Sequence, residues 1–113
     1  MVWLELINQW IDNYLTYPFG KTELTNQFGS ITFIKESNNF KKLLVYEIYI
    51  NGEYRKKGLC KQFLTQLIDC IPINCTQIII QAVLSKILYE YLERFEYKGK
   101  KFKIYKCEWT LKI

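Results

Sequence analysis

The sequence predicts a mixed α/β domain: a central sheet flanked by helices, in the order α-β-β-α-β-α-β, forming one unit over residues 1–113. Three observations predict it. Apolar residues recur at helical spacing in three separate segments, short β-branched and aromatic runs lie between them, and strands alternate with helices in the C-terminal two-thirds, after an antiparallel part.

Leu4, Ile7, Trp10, Ile11, Tyr14 and Leu15 keep helical spacing, so residues 1–15 read as an amphipathic helix, ended by Tyr17, Pro18, Phe19 and Gly20. Residues 30–35 alternate as a strand. Asn38 and Asn39 mark a turn, and residues 43–50 are rich in β-branched and aromatic side chains, so the two runs form an antiparallel hairpin. Leu59, Cys60, Phe63, Leu64, Leu67, Ile68 and Ile71 trace one stripe of a helix that stops before Pro72. Residues 76–83 read as a buried strand. Ile87, Leu88, Tyr91, Leu92 and Phe95 mark another helical stripe, and residues 102–113 alternate again, with a phase slip near Tyr105 that points to a bulge.

With 113 residues, half of them hydrophobic and 17% aromatic, the chain can close one core, and no linker or repeat divides it. The net charge of +5, carried mostly by lysine, suits an anionic ligand. Cys60, Cys70, Cys75 and Cys107 form no C-x-x-C pair and histidine is absent, so no metal site is expected; buried or half-buried thiols of an intracellular protein are. Glu5 and Asp12 interrupt the N-terminal apolar residues, and no apolar stretch approaches a membrane span. The expected location is cytoplasmic, with no membrane partner.

The run Tyr54, Arg55, Lys56, Lys57, Gly58, Leu59, Cys60, Lys61 connects the apolar run 43–50 to the helix that follows it. A strand that breaks into a basic, glycine-containing turn and then a helix aims several N–H groups at one spot, where the helix dipole also favours negative charge. Such a cradle suits a pyrophosphate. The dinucleotide fingerprint needs three glycines and the P-loop a Gly-Lys-Ser/Thr ending, and a single Gly58 satisfies neither. The segment resembles the (Arg/Gln)-x-x-Gly-x-(Gly/Ala) signature of the GNAT acetyltransferase superfamily, with Arg55, Gly58 and Cys60 at its three defined positions. Cysteine is larger than the family's glycine or alanine, so the approach of a phosphate is tighter.

The resemblance covers residues 43–113 well and the first forty poorly. It implies a short, divergent member that binds acetyl-CoA (coenzyme A) and transfers the acetyl group to an amine: a protein lysine, an N-terminus or a small amine. Family members usually begin with a strand, so part of the substrate wall is either missing or supplied by a second copy in a homodimer. Carried over residue by residue, the main chain of Ile48, Tyr49 and Ile50 pairs with the pantetheine arm like an added strand. Arg55, Lys56, Lys57, Gly58, Leu59 and Cys60 hold the pyrophosphate, and Lys61 lies within reach of a phosphate. For Lys56 and Lys57 a solvated face is the alternative, because the family relies there on main-chain amides. In the later helix the family's Asn falls on Ser85, its Tyr on Leu92 and its Gly-Phe on Glu96 and Tyr97.

Without histidine, triad and His-dependent acid–base mechanisms are excluded. Acetyl transfer needs instead a neutral amine, a polarised carbonyl and in-line placement. The resemblance implies a carboxylate base on the central strand, and Glu47 is the sole acid within residues 43–50. Burial there would strengthen its hold on a proton; a solvent-facing position is the other reading. Leu92 cannot donate a proton, so Tyr89, three residues earlier, or Tyr91 takes the acid's role. If no phenol does, the chain is a catalytically degenerate coenzyme-binding or protein-interaction module. Lys98, Lys100, Lys101, Lys103 and Lys106, interleaved with Phe102 and Tyr105, raise nucleic-acid binding. Lysines that blunt an edge strand are the preferred reading, and the same tail suits an acidic protein substrate.

Overall fold

The computed structural model describes residues 2–81, 86–105 and 108–113. Helix α1 (Leu4–Asp12) and a 3-10 turn (Tyr14–Thr16) precede a meander of β1 (Gly20–Asn26), β2 (Gly29–Lys35) and β3 (Lys42–Ile50). Helix α2 (Leu59–Cys70) leads to β4 (Gln77–Ile80), and helix α3 (Lys86–Arg94) to a small hairpin, β5 (Glu96–Tyr97) with β6 (Lys100–Lys101). Strands β7 (Lys103–Tyr105) and β8 (Glu108–Lys112) end the chain. The main sheet runs β1-β2-β3-β4-β8-β7 and is antiparallel except between β3 and β4, which α2 connects.

Nine residues of α1 would not hold a helix in isolation; packing holds this one. Trp10 is fully buried and stacks on Phe33 of β2 at 4.9 Å and 7°. Trp3, just before α1, donates from Nε1 to the Leu59 carbonyl at 2.8 Å and meets Phe63 edge-on at 6.0 Å. Each large apolar side chain buried this way contributes roughly 1.5–3 kcal/mol of transfer free energy. The predicted α2 stripe is buried at Leu59, Phe63, Leu64, Leu67 and Ile68. On α3, Tyr89 meets Trp109 of β8 at 5.0 Å.

Phe33, Val45, Ile80 and Trp109 are successive cross-strand neighbours and therefore share a face of the sheet. Their partners on α1 and α3, and the contacts of α1 with α2, place all three described helices on that face. Leu44 and Ile79 point to the other face, outside the main core. Lys35, the buried charge among the described core residues, donates from Nζ to the Leu15 and Tyr17 carbonyls at 3.3 and 2.9 Å and fastens the end of the 3-10 turn to β2.

The element order corrects the expectation in three places, the first being the small β5–β6 hairpin after α3, where no strand was expected. Strand β1 was not predicted, because Leu24 is its sole buried side chain and leaves no alternating signal. Residues 102–113 are not one bulged strand but β7 and β8 paired antiparallel, so the phase slip near Tyr105 marks a reversal of the chain. The hairpin of β2 with β3 is antiparallel, as the Asn38–Asn39 turn predicts. Among the described residues no helix is long and apolar enough to cross a membrane.

Candidate functional site

Strands β3 and β4 run together from Lys42↔Gln77 to Val45↔Ile80, and the Gln81 amide makes the last bond across the pair, to the Val45 carbonyl at 2.8 Å. β3 then continues to Ile50, still paired with β2. Among the described residues no strand covers the other edge of residues 46–50. Among the described residues β4 ends at Ile80, and the free edge of β3 beyond Val45 bounds an open space, the cleft.

A bulge sets which groups face it. Thr32 pairs with Glu47 and Phe33 with Val45, so Tyr46 has no partner across the β2 ladder. The Asn51 amide donates to the Phe28 carbonyl at 2.9 Å. In an antiparallel ladder hydrogen-bonded pairs alternate, so Tyr49 is bonded back to Ser30, while the main chains of Ile48 and Ile50 face the cleft. Of the three strand residues predicted to pair with a ligand, Tyr49 is thus turned away. Gly29 permits this close packing, since a Cβ there would lie 1.9 Å from the Tyr49 carbonyl oxygen.

The loop after β3 is tied down at both ends. Asn51 Nδ2 donates to the Gln27 carbonyl at 2.8 Å, the Tyr54 amide to the Asn51 carbonyl at 2.9 Å, and Arg55 Nε to the Ile50 carbonyl at 2.9 Å. Tyr54 packs against Phe28 at 4.8 Å. Lys56 and Gly58 both have left-handed backbones, with φ of 61° and 74°. Gly58 is the N-cap of α2, and a Cβ there would meet no atom within 4 Å. No side chain caps this helix and no acid stands in its first turn. The first helical bond runs from the Gln62 amide to the Gly58 carbonyl at 3.1 Å, so the amides of Leu59, Cys60 and Lys61 precede it and point outward at the cleft mouth. Lys56, Lys57 and Lys61 are exposed around them.

Burial pushes the Cys60 thiol up to about 11, so it remains a small neutral side chain beside these amides. Burial, with Cys60 adding to it, pushes Tyr91 up to about 12. Tyr91 therefore stands near the start of α2, and with Lys61, Glu90 and Arg94 it lines a groove of about 480 Å³. Tyr89 is 39% exposed. Leu92 is fully buried, so the position where a tyrosine was implied serves the core. Glu47 is exposed on the helix-free face, opposite Thr32: of the two positions open to it in the sequence, the bulge at Tyr46 gives it the solvent-facing one. Ser85 lies outside the described residues. Tyr97 donates its hydroxyl to Asp69 at 3.0 Å, and Lys98, at 2.7 Å, holds that carboxyl below the usual range. This cluster fastens β5 to α2. Asn51 was missed from sequence; its signal was an Asn-Gly pair directly after a strand.

No protein-family model matches the chain, and no curated protein sequence matches it either. Two solved structures resemble it along nearly its whole length. One is a candidate acetyltransferase from Exiguobacterium sp. 255-15, at a TM-score of 0.52 and 12% identity, covering 96% of this chain and 72% of that one. The other is mutant forms of the spermidine/spermine N-acetyltransferase SpeG from Vibrio cholerae, at a TM-score of 0.50 and 18% identity, covering 96% and 70%. The chain has the GNAT fold. On this GNAT fold the signature positions Arg55 and Gly58 fall between β3 and α2 and Cys60 in the first turn of α2, at the mouth of the cleft.

Proposed function

We propose that the chain is an acetyl-CoA-dependent N-acetyltransferase acting on an amine. The observation that carries this reading is the edge of β3 beyond Val45, which no described strand covers, beside the uncapped start of α2. An open strand edge at Ile48 and Ile50 suits an extended ligand with amide groups along its length. Three unpartnered amides and nearby lysines suit an anion at that ligand's end. A pantetheine diphosphate combines both, and the clear space at Gly58 and the absence of an acid in the first turn of α2 fit it.

Bound acetyl-CoA supplies an activated thioester. Ile48 and Ile50 orient it by their main chains, and the amides of Leu59, Cys60 and Lys61 hold the diphosphate with Lys61. Lys56 and Lys57 add positive potential. Glu47, in contact with water, accepts the ammonium proton directly or through a water molecule. Tyr91 holds its hydroxyl proton firmly, whereas Tyr89 is the more accessible donor. The free thiols Cys60, Cys70 and Cys75 suit a reducing, cytoplasmic setting.

A second reading, a coenzyme-binding module without transfer, is favoured by the complete burial of Leu92. Calorimetric titration with acetyl-CoA tests what both readings share. Mass spectrometry of a lysine peptide, a free N-terminus and spermidine after incubation separates them. Acetylated product supports the enzyme; binding with no product on any amine supports the module; no binding overturns both.

A further inference from the structure

On the helix-free face, strand register arranges side chains in rows. Lys42, Gln77 and Lys112 form one row across β3, β4 and β8. Leu44, Ile79, Thr110 and Lys103 form the next. All of these except Leu44, with Lys100 and Lys101 of β6, line a groove of about 680 Å³, whose one acid among the described residues, Glu108, accepts a hydrogen bond from Gln81 Nε2 at 3.1 Å. Protection of an edge explains Lys103, because β7 ends the sheet. It does not explain Lys42 and Lys112, which stand on the interior strands β3 and β8. Like charges gathered in one groove repel one another and focus a positive potential, which attracts an anion.

We infer that this groove docks an extended acidic polypeptide segment. Two strand spacings separate Lys42 from Lys112, about 10 Å, and an extended chain covers that span in about three residues. Gln77 and Thr110 offer hydrogen bonds between the two lysines, and the lysine stems cover the apolar floor at Ile79. A single-stranded nucleic acid would draw its affinity from bases stacked on aromatic rings, and among the described residues Tyr105 is the lone aromatic lining the groove. Fork-like pairing with phosphate belongs to arginine, and neither Arg55 nor Arg94 lines the groove. Spaced carboxylates meet mobile ammonium groups equally well. The inference is independent of acetyl transfer, and its test uses no coenzyme.

The test is fluorescence anisotropy at physiological ionic strength with a labelled decapeptide of alternating Glu and Ser, its Gln-for-Glu counterpart, and a single-stranded RNA of ten nucleotides. The Glu peptide binds and the Gln peptide does not. Lys42→Glu with Lys103→Glu weakens binding at least about tenfold, whereas Lys21→Glu with Lys56→Glu, an equal change of net charge, weakens it less than about twofold. In the unaltered protein, peptide addition moves the amide resonances of Gln77 and Thr110, a readout that needs no variant. No binding, equal losses in the two double variants, undisturbed Gln77 and Thr110 resonances, or tighter RNA binding at the same amides would each overturn the assignment.

Discussion

Arg55 Nε donates to the main-chain oxygen of Ile50 at 2.9 Å, and so occupies a carbonyl on the open edge of β3. The guanidinium lies over the Tyr49 ring at 5.4 Å. One side chain thereby fixes the course of the loop into α2 and covers a group that a ligand laid along the strand would use. Arg55→Ala frees that carbonyl but loosens the loop and removes a cation. We expect coenzyme A affinity to fall about tenfold by calorimetry, the size of one charge-assisted hydrogen bond. Unchanged affinity would show that the loop holds its course without Arg55.

Gly58 is required by its backbone and not by crowding. Gly58→Ala should lower stability by about 1 kcal/mol, since the left-handed φ of 74° disfavours any Cβ while the space around it is clear. Coenzyme binding should survive. Gly58→Glu should abolish binding by placing a carboxylate among the α2 amides; equal titration curves for wild type and the glutamate variant would remove the site from this loop.

Glu47→Gln should slow acetyl transfer by roughly 10²–10⁴-fold, with coenzyme affinity retained. Tyr89→Phe and Tyr91→Phe, made separately, identify the phenol that donates. Changes of no more than a few-fold in all three variants would leave positioning alone as the source of rate.

Alkaline stability should depend on Cys60. Its folded thiol is raised from 9.0 to about 11, so the unfolded chain releases the proton first. The stabilisation is complete below pH 9 and is lost as pH rises from 9 through 11. Tyr91, raised from 10.0 to about 12, adds a loss of the same sign above pH 10. Melting temperatures measured across this range should fall more steeply for wild type than for Cys60→Ala; parallel curves would contradict a buried thiol.

The core of α2 was legible because Phe63, Leu64, Leu67 and Ile68 recur at a spacing only a helix uses. The loop was legible because Gly58 and its lysines sit where a strand must become a helix. Glu47 was not. Residues 43–50 are apolar or aromatic at nearly every position, so no alternation reveals that Tyr46 is an inserted residue, and one inserted residue exchanges the faces of all that follow. The β7–β8 reversal was hidden likewise, since alternation continues on both sides of the turn. Which face of the sheet the helices cover is a property of crossover connections, which local patterns do not carry.

The single parallel pair of the sheet, β3 with β4, has a further consequence for the order in which the molecule comes apart. The meander of β1, β2 and β3 is joined by short turns, so its contacts close small loops, whereas β4 reaches β3 only after α2 has formed and docked. The β4–β8–β7 half therefore depends on a four-residue seam. Amide protons of Ile78, Ile79 and Thr110 should exchange with solvent through a partial opening well below the global unfolding free energy, while those of Ile31 and Phe33 should await complete unfolding. β4 and the strands beyond it are then the first part of the sheet to detach, and a ligand that spans β3 and β4 would slow exchange most strongly in those C-terminal strands.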